Sequence, residues 1–136
     1  MATSYEKIYE RVFPKFKDFD IPLMEEKDVE IMFHNYLSSS ISMFYNCKKD
    51  LSDRDEILLQ FNQDLDNDEI EILSNYMVII FLDSNYIRVP TILKANLSSS
   101  DFNAFSPANF LKELTAMRKV YLTENETILM RYSWKK

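Results

Sequence analysis

The sequence predicts a mainly α protein, a compact bundle of four to five helices with a long ordered connecting loop at about 48–65 and an extended C-terminal tail. Three observations point there. From Ile70 to Leu82 the run IEILSNYMVIIFL carries apolar residues in nearly every helical direction, as a helix contacted on all sides requires. Other segments repeat apolar residues at spacings of three and four. The chain of 136 residues contains no Gly, so turns must be made by Asn, Asp, Ser and Pro. That lack disfavours tight β-hairpins, phosphate-cradling loops, dinucleotide-binding turns and EF-hands together, because each needs Gly where a side chain would clash.

Ser4 is a predicted N-cap, and Tyr5, Ile8, Tyr9, Val12, Phe13 and Phe16 follow it as one apolar stripe. A helix over about 4–14 is expected, ended or kinked by Pro14. The second helix is expected from Glu25 to Cys47, with Val29, Met32, Phe33, Tyr36, Leu37, Ile41 and Phe44 on one face. Acidic residues begin it and Lys48 and Lys49 follow it, the order the macrodipole favours. The periodicity runs through Ser38-Ser39-Ser40, which read as small helix-surface residues where another helix or a neighbouring chain approaches closely. His34 lies off the stripe and reads as a surface residue.

Residues 48–65 mix charge with Leu51, Ile57, Leu58, Leu59 and Phe61, too many large apolar side chains for a solvated linker. A short helix over Arg54 to Gln60 is one reading, with extended flanks. This connection is the first candidate partner surface, through Leu51, Arg54, Ile57, Leu58 and Phe61. The central helix should begin near Asn67, with Asp66 and Glu69 as a capping box. A buried strand over Tyr76 to Leu82 is the competing reading, because Val and Ile favour sheets; continuity with a capped turn favours helix.

Beyond Asp83-Ser84-Asn85 a short helix is expected around 86–97, then a polar loop at 98–105. Ser106-Pro107 is a strong helix start, with Phe110, Leu111, Leu114, Met117 and Tyr121 carrying a stripe to about Leu122. The remainder, 123–136, holds Ile128, Met130, Tyr132 and Trp134 without a cap of its own. It reads either as a last strand or helical turn packed at home, or as an arm for a neighbour.

At this length one domain is expected, large enough to bury a core without staples. The net charge is −6, from 22 acidic and 16 basic residues, against a general phosphate-binding surface. MATSYEKIYERVF has no apolar signal core, and the longest apolar run, seven residues, is short of the roughly 18 that span a bilayer, so no membrane association is expected. Cys47 is expected as a small buried hydrophobe rather than a reactive thiol. Asp64, Asp66, Asp68 and Glu69 mimic a calcium loop, but position six is Glu69 rather than Gly and position twelve is Asn75 rather than Glu. Capping explains them, and no metal or cofactor is expected. His34 and Cys47 stand about 19–20 Å apart along one predicted helix at 1.5 Å per residue, too far to form a catalytic pair. No catalytic residue is assigned and no enzyme is expected.

The segments CKKDLSDRDEILLQFNQDLDNDEIEIL (47–73), MVIIFL (77–82) and SPANFLKELTAMRK (106–119) resemble the head-to-tail connector (adaptor or neck) proteins of tailed bacteriophages infecting low-GC Gram-positive bacteria. The resemblance implies a virion protein made in the host cytoplasm, docked beneath the portal protein and in contact with tail-proximal neck proteins. It also implies a homo-oligomeric ring, commonly of twelve copies, through which DNA passes without sequence-specific binding. The 48–65 connection and the tail residues Ile128, Met130, Tyr132 and Trp134 would then be ring-to-ring contacts. A helical regulatory or protein-binding module, antitoxin-like or anti-repressor-like, is the alternative.

Overall fold

A computed structural model describes residues 2–16, 25–84 and 107–134. Their order is β1 (Thr3–Ser4), α1 (Tyr5–Val12) with a 3-10 turn at Phe13–Phe16, α2 (Glu26–Met43), β2 (Arg54–Asp55), β3 (Gln60–Phe61), α3 (Asn67–Leu82) and α4 (Pro107–Trp134). The fold is mainly helical with a three-stranded antiparallel sheet of order β1-β3-β2.

α3 is the axis. Asp66 takes the Glu69 amide on its side chain while Glu69 reaches back to the Asp66 amide, so the capping box forms as the residues predict. Ile72 to Ile79 are all buried, because α1, α2 and α4 each pack against this helix. The apolar run is therefore helical and surrounded. At its other end, Asp83 is gripped by Arg118 of α4 through Nε to Oδ1 at 2.6 Å and Nη2 to Oδ2 at 3.3 Å.

α1 begins at its Ser4 cap, which accepts from the Glu6 amide, and tightens into the 3-10 turn that contains Pro14. Its stripe enters an aromatic cluster in which Phe16 lies 5.5 Å from Phe33 and edge-on to Phe81 at 4.7 Å. On its outer flank Arg11 and Lys15 both hold Glu71 of α3, at 2.8 and 2.7 Å. Burial opposes charge on that carboxylate, but the two cations outweigh it and hold Glu71 below the usual range.

α2 ends at Met43, short of the expected Cys47. The serine run is helical as predicted, and Ser40 is fully buried with its hydroxyl donated to the Leu37 carbonyl at 2.8 Å.

Within the connecting loop residues 54–61 form a hairpin rather than the expected short helix, in register Arg54↔Phe61 and Asp55↔Gln60. A hairpin without Gly is made by Leu59, which itself adopts φ 55°. The left-handed conformation brings Cβ close to the following carbonyl and costs about 1–2 kcal/mol. It is held by the Leu59 carbonyl, which accepts the first amide of α1, Tyr5, at 2.9 Å.

The C-terminal tail is not extended. α4 runs unbroken to Trp134, because Tyr121, Leu122, Asn125, Ile128, Leu129 and Tyr132 continue the stripe begun at Leu114 and pack on the body. Midway, Asn75 of α3 donates to Asn125 Oδ1 at 3.2 Å, and Asn125 donates to the Ile72 carbonyl at 3.3 Å. Both side chains are fully buried, and Asn75 Oδ1 has no partner among the described residues. A polar pair inside an apolar seam fixes the lengthwise register of two helices, since slippage would strand both amides. The helix expected at 86–97, the loop at 98–105 and the Ser106 cap lie outside the described residues.

Candidate interaction surface

The hairpin turn is built from its own acidic residues. Asp55 Oδ1 accepts the amides of Ile57 at 2.8 Å and Leu58 at 3.0 Å, a side-chain cap that does the work Gly does elsewhere. Below it, the Asn62 amide donates to the Asp53 carbonyl at 2.9 Å. The side chains of Asn62 and Gln63 both donate to the Asp53 carboxylate, which keeps it below the usual range.

Glu56 ties the turn to the bundle. It accepts from His34 Nε2 of α2 at 2.8 Å, Arg54 Nε at 2.9 Å and the Tyr5 hydroxyl of α1 at 3.3 Å. The His34 and Arg54 contacts hold its carboxyl down, while burial and the neighbouring Glu56 charge push the Tyr5 hydroxyl up to about 12. His34 is thus an anchor of the turn rather than the bland surface residue expected from its position. Nothing in the sequence links it to an acid 22 residues away.

A turn pinned this way aims its two central side chains outward. Ile57 is 92 % exposed and Leu58 66 %. Beside them a groove of about 470 Å³ is bounded by Tyr5, Tyr9, Ile31, His34, Leu58 and Leu59.

The end of α4 is anchored from within. The Tyr132 hydroxyl donates to the buried Glu69 carboxylate at 2.6 Å and accepts the Lys48 amide at 2.7 Å. Lys48 returns across the ring, its Nζ 4.9 Å from the ring centre and 2.9 Å from the Tyr132 carbonyl. Burial would raise the pKa of Glu69, but the Tyr132 hydroxyl, the Asp66 amide and Lys49, 3.0 Å away, reverse that and hold it below 4.5. Cys47 sits half-buried at this knot, its Sγ 3.6 Å from Glu69, and burial pushes its thiol up, away from thiolate chemistry. Outside the knot, Met130 is 61 % and Trp134 79 % exposed.

Of the nine residues singled out in the sequence, the structure therefore brings only some to the surface. Ile57, Leu58, Met130 and Trp134 are presented to solvent. Arg54 is half-buried and internally engaged, donating Nη1 to the Leu51 carbonyl at 2.9 Å. Ile128 packs partly against the core. Leu51, Phe61 and Tyr132 are core residues; alternation along β3 turns Phe61 inward and the α4 stripe does the same for Tyr132. Leu59, Ile31 and Val120 are exposed apolar residues outside the expected set; for Ile31 and Val120 the signal was their position off the apolar stripes.

Among the described residues no group of three or more His, Cys, Asp and Glu side chains could hold a metal ion. Asp66 caps α3, Asp68 meets Arg131 at 2.7 Å and Glu69 is committed to the knot. No helix among the described residues is long and apolar enough to cross a membrane. Comparison of the chain with family models, curated proteins and solved structures finds no match.

Proposed function

We propose that the chain is a structural virion protein, a head-to-tail connector that docks on a portal ring and extends the DNA channel toward the tail. Ile57 and Leu58 carry the reading: two large apolar side chains held outward on a turn fixed by Asp55, Glu56 and Leu59. An apolar tip on a hydrogen-bonded turn suits a docking element, because less backbone entropy remains to be lost on binding. The net charge of −6 suits a conduit that must not retain DNA. On this reading copies assemble as a ring, commonly of twelve, between the portal protein and tail-proximal neck proteins.

The test is sedimentation of the purified chain with the portal ring from the same virion. Co-sedimentation at a symmetric stoichiometry is expected, and the paired substitution Ile57→Ser and Leu58→Ser should abolish it with helix content unchanged. A chain that ignores the ring would move the weight to the second reading, a helical regulatory or protein-binding module.

A further inference from the structure

α4 carries two stripes on opposite sides. The first, Leu114 to Tyr132, packs on the body. The second consists of Ala116, Val120, Thr123, Thr127, Met130 and Trp134, and every member is exposed. Their successive spacings of four, three, four, three and four residues make a heptad seam, with Val120, Thr127 and Trp134 at a and Ala116, Thr123 and Met130 at d. At 100° per residue the seam centres about 190° from the body-facing stripe, so it faces away from the described core. Ala116, Val120, Thr123 and Thr127 border a shallow, mainly apolar groove of about 610 Å³ whose other wall is Glu71 of α3 and Ile128.

The geometry points to a second copy of this chain as the occupant, its α4 lying parallel and in register against this one. Charge decides both the partner and the direction. The residues flanking the seam are Lys119 and Glu126 at g and Glu124 and Arg131 at e, all exposed. In a parallel pair each g residue faces the e residue five positions later in the other helix, so Lys119 meets Glu124 and Glu126 meets Arg131. The two-fold axis repeats both pairs. Turning one helix round would instead set Glu124 against Glu124 and Glu126 against Glu126. Arg131 already touches Asp68, but its side chain is 62 % exposed and retains donors for a second carboxylate. Val120 and Thr127 at a are β-branched, which suits two parallel strands.

The inference does not rest on the connector reading, and the purified full chain tests it without a portal. Sedimentation equilibrium between roughly 1 μM and 1 mM should show a dimer. Lys119→Glu alone, or Glu124→Lys alone, sets like charges together twice and should weaken it about tenfold or more. The double exchange should restore it to within about threefold, which no effect on folding would imitate. Thr123→Cys should cross-link the pair on oxidation, since d faces d only in the parallel register, while the parent chain with Cys47 alone should not. A chain that stays monomeric throughout, single variants that dimerise as well as the parent, or failure of Thr123→Cys to cross-link would each overturn the proposal.

Discussion

The base and the tip of the hairpin are built from the same kinds of residue and meet opposite fates. At the base Leu51, Phe61 and Leu65 are buried, and Phe61 lies edge-on to Tyr5 at 5.0 Å. At the tip Ile57 and Leu58 stand in solvent. The difference is one of placement. β3 alternates Phe61 inward against β1 and α1, whereas the tip lies beyond the last strand pair and is aimed by the hydrogen bonds of Asp55. An apolar side chain in this connection stabilises the monomer at one end and adds almost nothing to it at the other.

Substitutions should separate the two. The largest effect belongs to the base: Phe61→Ala should cost about 3–5 kcal/mol in chemical denaturation, since it empties a fully buried aromatic site. Next comes the knot that holds the end of α4. Tyr132→Phe removes the donor to a buried carboxylate and should cost about 2 kcal/mol.

The same knot sets the acid response. Glu69 and Glu71 are both held below 4.5 in the folded chain, so the stability they contribute is fully present above that value and is lost as pH falls through their folded values. Unfolding midpoints measured from pH 6 downward should fall below about pH 4.5. Glu71→Gln should flatten that decline.

The Asn pair between α3 and α4 should show non-additivity. Asn125→Leu alone strands Asn75 and should cost about 1–3 kcal/mol, whereas adding Asn75→Leu should recover much of it in a double-mutant cycle. At the turn, Leu59→Asn should be neutral or stabilise by a few tenths of a kcal/mol, because Asn tolerates positive φ. Leu59→Val, branched at Cβ, should destabilise by about 1 kcal/mol.

Local signals were legible where one residue's chemistry decides the outcome. The Ser4 cap, the Asp66–Glu69 box and the surrounded helix after it follow from spacing and capping alone. The hairpin was not legible, because its turn is made by Asp55 side-chain bonds and a left-handed Leu59, neither of which leaves the Gly signature that marks such turns. The tail left strand, helical turn and arm open for a different reason. Ile128, Met130, Tyr132 and Trp134 alternate like a strand, and only Leu129 and Asn125 reveal the helical stripe. Which candidate residues face outward could not be read in advance either. Phe61 and Leu58 sit three positions apart in one run, and their separation depends on Tyr5, Glu56 and His34 meeting from distant parts of the chain.

The most direct test sets the tip against the base in one experiment, with the variant pair Ile57→Ser and Leu58→Ser measured beside Phe61→Ser for stability and for sedimentation with the portal ring. The tip pair should keep the parent's unfolding midpoint while losing the ring, and Phe61→Ser should lose its cooperative unfolding transition. A tip pair that still binds the ring at the parent's stoichiometry would contradict that expectation.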